Sequence, residues 1–376
     1  MHCLLKYGMS KIYDVCIQGD GAVGRVLALL LVKERLKVAL VAPAEVARPA
    51  DIRAYALNSA SRHLLDSLRV WPDPLFATPI SAMQVWGDDG GKLEFSAQAA
   101  SQDALAWIVD VAHIEAKLLQ ACNYQSLIET VQEPCAAPLT IVCEGQKSSA
   151  RNKLGVLWSV KPYAQKAIAA RLTSSQPHGG HARQWFAGDG EVLALLPMGG
   201  SSGSSLALVW SVHEDHAALL ANMAPDEFCK AVFDATQASA GALQLTSGQA
   251  SWPLGVGSAE KWTGAGWALA GDAAHSVHPL AGQGLNLGLA DAACLASVLA
   301  GREYWRSLGD EKLLRRYERS RKADVAAVSA VTDGLQNLFA HSAAPVQAVR
   351  NWGMNGLAAS QPLKNWLVSR AAGIPL

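Results

Sequence analysis

Residues 12–41 read IYDVCIQGDGAVGRVLALLLVKERLKVALV, and the reading of this stretch decides the fold. Residues 12–18 are a short apolar run that ends at a glycine cluster, the pattern of a buried strand. Residues 25–33 (RVLALLLVK) form an apolar helix, and residues 37–41 (KVALV) a second apolar run. Strand, glycine turn, helix and strand in that order make a β-α-β unit, which implies a parallel sheet. In this setting Gly19-Asp20-Gly21-Ala22-Val23-Gly24 gains a physical meaning. Gly19 permits the tight turn, Gly21 lets a pyrophosphate approach the backbone, and Gly24 lets the helix close on the strand, with Ala28 supporting that packing one turn later. The helix N-terminus, with its free N–H groups and positive dipole end, faces the phosphates. Ala22 and Val23 complete the expected contact surface.

One part of such a unit is missing. An Asp or Glu normally stands at the end of the second strand, ~20 residues past the glycines, and bonds ribose hydroxyls. Here that place reads Val41-Ala42-Pro43, with Glu45 the nearest acid. Either Glu45 reaches in, or the ribose is held more weakly.

A second glycine-rich stretch lies far along the chain. Residues 267–270 (WALA) read as a strand that runs into Gly271-Asp272, residues 276–284 as a loop, and residues 285–299 as a helix. An Asp at the carboxyl end of a parallel strand, beside a glycine that clears space, accepts hydrogen bonds from a polyol or ribose. The first-turn N–H groups of the following helix face a negative charge. The flavin of FAD needs this combination, since its ribityl chain offers hydroxyls and its reduced ring carries negative charge. Between the two glycine stretches the β-α-β rhythm stops. Residues 80–95, around Asp88-Asp89-Gly90-Gly91, suggest one hairpin, and residues 193–198 with 205–212 another. These read as an antiparallel sheet inserted into the first domain.

With those residues in view, GDAAHSVHPLAGQGLNLGLADA (residues 271–292) resembles the flavin-contacting motif of FAD-dependent aromatic hydroxylases of the para-hydroxybenzoate hydroxylase type, and most of all the branch that hydroxylates ubiquinone precursors. The likeness extends through Asp51-Ile52-Arg53-Ala54-Tyr55-Ala56-Leu57, through Glu144-Gly145-Gln146-Lys147-Ser148-Ser149-Ala150-Arg151, which matches the family's DGxxSxxR spacing with Glu for Asp, and through Tyr163-Ala164-Gln165, residues 178–186 and Leu195-Leu196-Pro197. It implies an α/β fold in which a three-layer, Rossmann-like FAD-binding domain (residues 9–75, 99–160 and 255–330) carries an inserted antiparallel β-sheet substrate domain (76–98 and 161–254), followed by C-terminal helices (331–376).

The activity implied is monooxygenation: NADH or NADPH reduces FAD, and one atom of O2 is transferred to an electron-rich phenol ring. The substrate implied is a polyprenylated phenol of ubiquinone biosynthesis. The resemblance sets Arg53, His278 and Pro279 beside the reacting flavin. It sets Gly19, Gly21, Ala22, Val23, Gly24, Arg53, Glu144, Gly145, Asp272, Pro279, Gly282, Gly284, Leu285 and Asn286 around the cofactor. In relatives the position of Glu144 holds an aspartate that helps bind FAD.

Composition narrows the alternatives. Lysine plus arginine and aspartate plus glutamate are 32 each, so the net charge of zero gives no electrostatic argument for nucleic acid. Seven cysteines without a CxxC pair, and histidines without ligands at metal spacing, argue for a reducing compartment and no metal site. No signal peptide is visible, and Met9 before the first strand is the expected translation start. These features imply a cytoplasmic protein. The resemblance leaves room for peripheral contact with a membrane or a biosynthetic complex, and for a homo-oligomer. Two rivals stay open: a related flavoenzyme acting on another aromatic compound, and a flavoprotein-like subunit that has lost turnover, a reading that Glu144 and Ala42 favour.

Overall fold

The computed structural model describes residues 12–42, 51–87, 91–187, 189–277 and 282–340. Six strands build the first sheet: β1 (Val15–Gln18), β2 (Val38–Val41), β8 (Ile128–Val131), β9 (Leu139–Val142), β16 (Thr263–Gly264) and β17 (Trp267–Leu269), in the order β16-β17-β9-β1-β2-β8. All neighbours are parallel except the β16-β17 hairpin. Val15, Cys16 and Ile17 are all 0 % exposed, because a central parallel strand is covered on both faces. That is why these strands read as unbroken apolar runs rather than as alternation.

The first helix, α1 (Ala22–Lys33), begins three residues earlier than the apolar run alone suggests, since Gly21 supplies the extended backbone that starts it and Gly24 falls inside the first turn. It buries Val26, Leu27, Ala28, Leu29 and Leu31. Each such leucine or valine is worth about 1.5–3 kcal/mol when removed from water. Helix α2 (Ser59–Ser67) starts at Asn58, and α3 (Val111–Asn123) at Asp110. Both caps accept a hydrogen bond from a first-turn N–H.

A second sheet has three antiparallel strands, β3 (Ala54–Leu57), β4 (Ala77–Pro79) and β7 (Trp107–Asp110), with β7 in the middle. This sheet is hard to read from sequence as a separate unit, because its strands are three or four residues long and far apart.

The third sheet has nine strands: β5 (Ala82–Trp86), β6 (Lys92–Ser96), β10 (Trp158–Ser174), β11 (His181–Phe186), β12 (Val192–Pro197), β13 (Ser205–His213), β14 (Leu243–Leu245), β15 (Ala250–Ala259) and β18 (His275–Ser276). Both expected hairpins are present, as β5-β6 and β12-β13. The sheet is antiparallel apart from the β5-β11 pair, which is parallel because a long excursion separates the two strands. Its edge strand β18 belongs to the second glycine stretch, so the inserted sheet reaches back to that motif.

One face of this sheet packs Leu195, Leu208 and Trp210 against Phe228 and Val232 of α6 (Pro225–Ala235), with α5 (Glu214–Ala221) alongside. The other face meets the three-stranded sheet through Ile80, Ile108, Ala182, Met198 and Ala207. A short helix, α4 (Ser149–Lys153), follows β9. Two long helices close the described chain, α7 (Gln283–Ala300) and α8 (Glu311–Ala340). By length and composition α7 passes for a membrane span, yet half of it is buried inside the protein, against α1 and α8.

Candidate functional site

The two glycine stretches meet. A Cβ on Gly288 of α7 would stand 2.7 Å from Cγ2 of Val23, and one on Gly271 would stand 3.3 Å from the same atom. Val23, in the first turn of α1, therefore seats between the two glycines. Glycine at position 288 lets α7 approach α1 this closely, since a Cβ there would strike the Val23 side chain. Gly19 has φ +115°, and a Cβ there would lie 2.5 Å from the carbonyl oxygen of Cys143 at the end of β9. A Cβ on Gly24 would run into the Gly19 carbonyl oxygen. Gly19, Gly24 and Gly288 are forced by the packing itself.

Gly21, Gly145 and Gly284 are different, for a Cβ on any of them would meet no atom within 4 Å. Each exposes bare backbone to open space, which suits the close approach of a phosphate or a flavin. Helices α1 and α7 also begin without any side-chain cap, whereas α2, α3 and α4 each have one. Their first-turn N–H groups remain as donors for an anion. The residues thus fit the dinucleotide that their spacing suggests. Gly282, the residue before α7, is left-handed and abuts Ala56 of β3, and Leu285 packs on the core.

Asp272 follows β17. Solvent reaches its carboxylate, but protein crowds around it, and this desolvation holds its carboxyl above the usual range while His275 and Arg53 pull it back. A carboxylate both crowded and accessible is one that lines a recess. Tyr55 shares this neighbourhood, its phenol pushed up to about 12 by burial and opposed by Arg53. The Arg53 side chain is 44 % exposed, donates from Nε to Asp51 Oδ1 at 2.9 Å and lies 5.7 Å from the Tyr55 ring centre.

Beneath Asp272 lies a buried charged brace. Asp291 of α7 is 0 % exposed; its Oδ2 accepts from the Gly271 N–H at 2.9 Å and sits 2.6 Å from His275 Nε2, and its Oδ1 accepts from Arg321 Nε of α8 at 2.7 Å. Burial alone would raise the Asp291 pKa, but His275 and Arg321 outweigh it and hold the group below the normal carboxylate range. His275 also stacks on Trp262, with ring centres 4.8 Å apart. The loop after β9 is tied in as well: Arg151 of α4, 3 % exposed, donates to the carbonyls of Ala273 and Gln146.

Two residues assigned to the cofactor from sequence also make hydrogen bonds within the protein. The Glu144 Oε2 accepts from the Ser148 and Ser149 hydroxyls and from the Ala150 N–H, so it caps the start of α4. The extra methylene of Glu lets the carboxylate fold back onto its own loop. The Asn286 amide is also occupied: its oxygen accepts from the Asn58 N–H and the Ser61 hydroxyl, and its nitrogen donates to Ala56. It joins α7 to β3 and α2. His278, Pro279 and Glu45 lie outside the described residues, as do Met9 and the tail from residue 341. Ala42 is described, and its N–H donates to Val131.

Asp291, Arg321, Arg151 and Tyr55 were not singled out as site residues from the sequence. Three signals were present: Asp291 within GLADA of the quoted motif, Arg151 at the end of the DGxxSxxR spacing, and Tyr55 within the stretch at residues 51–57. Away from this region the fold gathers Asp189, Glu191 and His213, with candidate ligand atoms within 4.8 Å of one another. Glu191 there already accepts from the His213 N–H and lies 2.8 Å from His216 Nδ1.

Comparison with known proteins agrees with this geometry. The family described as FAD binding domain matches residues 99–332. Ubiquinone hydroxylase UbiL of Rhodospirillum rubrum is 29% identical over 392 residues, covering 97% of this chain and 90% of that protein. The 3-demethoxyubiquinol 3-hydroxylase of Escherichia coli is 27% identical, covering 96% and 98%. Among solved structures, p-nitrophenol 4-monooxygenase PnpA from Pseudomonas putida superposes with a TM-score of 0.76 at 16% identity, covering 97% of this chain and 99% of the other. The match spans well over half of the chain, and the chain belongs to the FAD-binding domain family.

Proposed function

We propose that this protein hydroxylates an aromatic ring, with FAD as cofactor, NADH or NADPH as reductant and O2 as oxidant, and that the ring belongs to a polyprenylated phenol on the route to ubiquinone. The relatives named above for ubiquinone hydroxylation, aligned over nearly the whole chain, support the substrate class. In this reading residues 9–75, 99–160 and 255–330 hold the cofactor, and residues 76–98 and 161–254 shape the substrate site. A substrate with a prenyl tail makes the cytoplasmic face of a membrane the place of action.

When bound, FAD carries electrons from the nicotinamide to O2, so that one oxygen atom ends on the ring. The chain's own residues do the rest. The bare backbone at Gly21 and the open N-terminus of α1 receive the pyrophosphate, and Asp272 accepts from the ribityl hydroxyls. The uncapped start of α7 would offer its N–H groups to the negative charge of a reduced flavin. Asn286 keeps β3, and with it Arg53 and Tyr55, against α7. Arg53, beside Asp272 and Tyr55, would stand near the reacting ring.

The observation that carries this reading is Val23 seated between Gly271 and Gly288, because it joins the two halves of a dinucleotide site into one. The test is the absorption spectrum of the purified protein with and without added FAD, followed by oxygen uptake with NADH or NADPH. The expected result is a bound oxidised flavin and uptake stimulated by a prenylated phenol. A colourless protein that cannot be reconstituted overturns the reading.

A further inference from the structure

A cavity of about 410 Å³ lies between the three-stranded sheet and the large sheet. Leu75 and Phe76 form one side, Met198 and Ser205 another, and Asp110 and Arg171 the charged end. Arg171 projects from β10 on the face opposite Ala170 and Leu172, which belong to the cluster under α6. Its Nη2 donates to the Asp110 Oδ2 at 3.0 Å and to the Arg53 carbonyl at 2.8 Å. The charged end of the cavity therefore touches the backbone of the residue that stands at the mouth of the Asp272 recess.

The Arg171 hydrogen bonds are incomplete. Its Nη1 is buried and has no partner among the described residues. Asp110 does not supply one: its Oδ2 accepts from Nη2, and its Oδ1 accepts from the Ala112 N–H and lies 3.3 Å from His113 Nδ1. A guanidinium has five N–H donors in a fixed plane, and a buried donor left unmade costs on the order of 1–3 kcal/mol. Here the unpaired nitrogen belongs to the one cationic group that the described residues place on the wall of a cavity whose other walls are largely aliphatic and aromatic. Such a site fits a flat apolar ring that carries one hydrogen-bond-accepting, acidic oxygen.

We infer that Arg171 binds the phenol oxygen of the substrate and so selects rings that carry a free hydroxyl. This inference rests on the proposed hydroxylase reading and adds to it the group that recognises the substrate. Arg171 is a recognition residue here. It places the ring by its oxygen, and the carbon to be hydroxylated follows from where the rest of the ring then lies.

The test is calorimetric titration of the FAD-loaded protein and of its Arg171→Gln and Arg171→Lys variants with two probes, a 2-methoxyphenol bearing a short prenyl chain and the same molecule with its hydroxyl methylated. Flavin content, read by absorbance, is expected to be equal in all three proteins. For the phenol, Arg171→Gln is expected to weaken binding at least about 10-fold and Arg171→Lys by less, since a hydrogen bond from a charged donor is lost in one and partly kept in the other. For the ether, all three are expected to agree within about 2-fold. Phenol affinity unchanged in Arg171→Gln, or an equal loss for phenol and ether, overturns the inference. A wild-type protein that takes up the phenol but never FAD refutes the hydroxylase reading while leaving the recognition by Arg171 standing.

Discussion

Replacing Arg321 by leucine removes a positive charge from the inner face of α8 and leaves Asp291 buried with only Gly271 and His275 as partners. Asp291 is 0 % exposed, so water cannot take the place of the guanidinium. Truncating one partner of a buried ion pair costs about 3–5 kcal/mol, most of it the penalty on the charge left behind. The second contact of Arg321, to Asp324, adds little because the Asp324 side chain is 60 % exposed. At about 2.1 cal/mol/K per residue, unfolding of all 376 residues carries an entropy of about 0.8 kcal/mol/K. The melting temperature should therefore fall by about 4–6 °C.

The control is Arg315→Ala. That side chain is 64 % exposed and pairs with an exposed Glu311, so its loss should cost under about 1 °C. A pH series adds an independent arm. The folded-state pKa of Asp291 lies below the unfolded value of about 3.9. Its contribution is therefore complete above that pH and is lost as the pH falls through the folded value. Without Arg321 the folded pKa rises, and acid unfolding should begin at a higher pH. Differential scanning calorimetry at several pH values measures both effects. A melting temperature no lower than that of the Arg315→Ala control, with an unmoved acid limb, would refute the reasoning.

Three further outcomes are expected. Gly288→Val should cost about 1–3 kcal/mol by overpacking against Val23, and adding Val23→Ala should restore part of it in urea titrations; equal losses in the single and double variants would deny the contact. Gly21→Ala should leave the melting temperature of the FAD-free protein within about 1 °C of the original yet weaken FAD binding at least about 10-fold, or about 1.4 kcal/mol, whereas Gly24→Ala should destabilise the protein even without FAD. Asn286→Ala leaves the Asn58 N–H and the Ala56 carbonyl without their side-chain partner and should lower stability by about 1–3 kcal/mol, read as a shifted urea midpoint with an unchanged slope.

Much of this molecule is legible in its sequence, and for physical reasons. Residues 15–41 declare a β-α-β unit because a parallel strand must be apolar on both faces and the turn into α1 must be glycine wherever a Cβ would strike backbone. The Asp272 position is legible for the same reason, as it follows directly from a strand end and a glycine. The brace beneath it is far less so. Arg321 sits among several arginines of one helix, and only the packing of α8 on α7 turns it toward Asp291 while Arg315, Arg316 and Arg319 remain exposed. Arg171 was hidden in a similar way, since a lone arginine in an apolar strand gives no hint that Asp110 and Arg53 will meet it. Glu144 shows the converse limit. Its spacing agrees with a family pattern, but spacing does not fix where a longer side chain turns.

The strand order of the first sheet also has a consequence for synthesis. β9 is flanked by β1 on one side and on the other by β17, whose residues Trp267–Leu269 come from beyond the entire inserted sheet. During translation the ribosome has therefore delivered β1, β2, β8 and β9 long before the strand that completes them. Until residue 267 emerges, Leu139–Val142 is an open edge with unpaired backbone groups and buried-type side chains, the kind of surface to which another chain can add. A fragment ending before β17 should accordingly be aggregation-prone rather than a folded nucleotide domain.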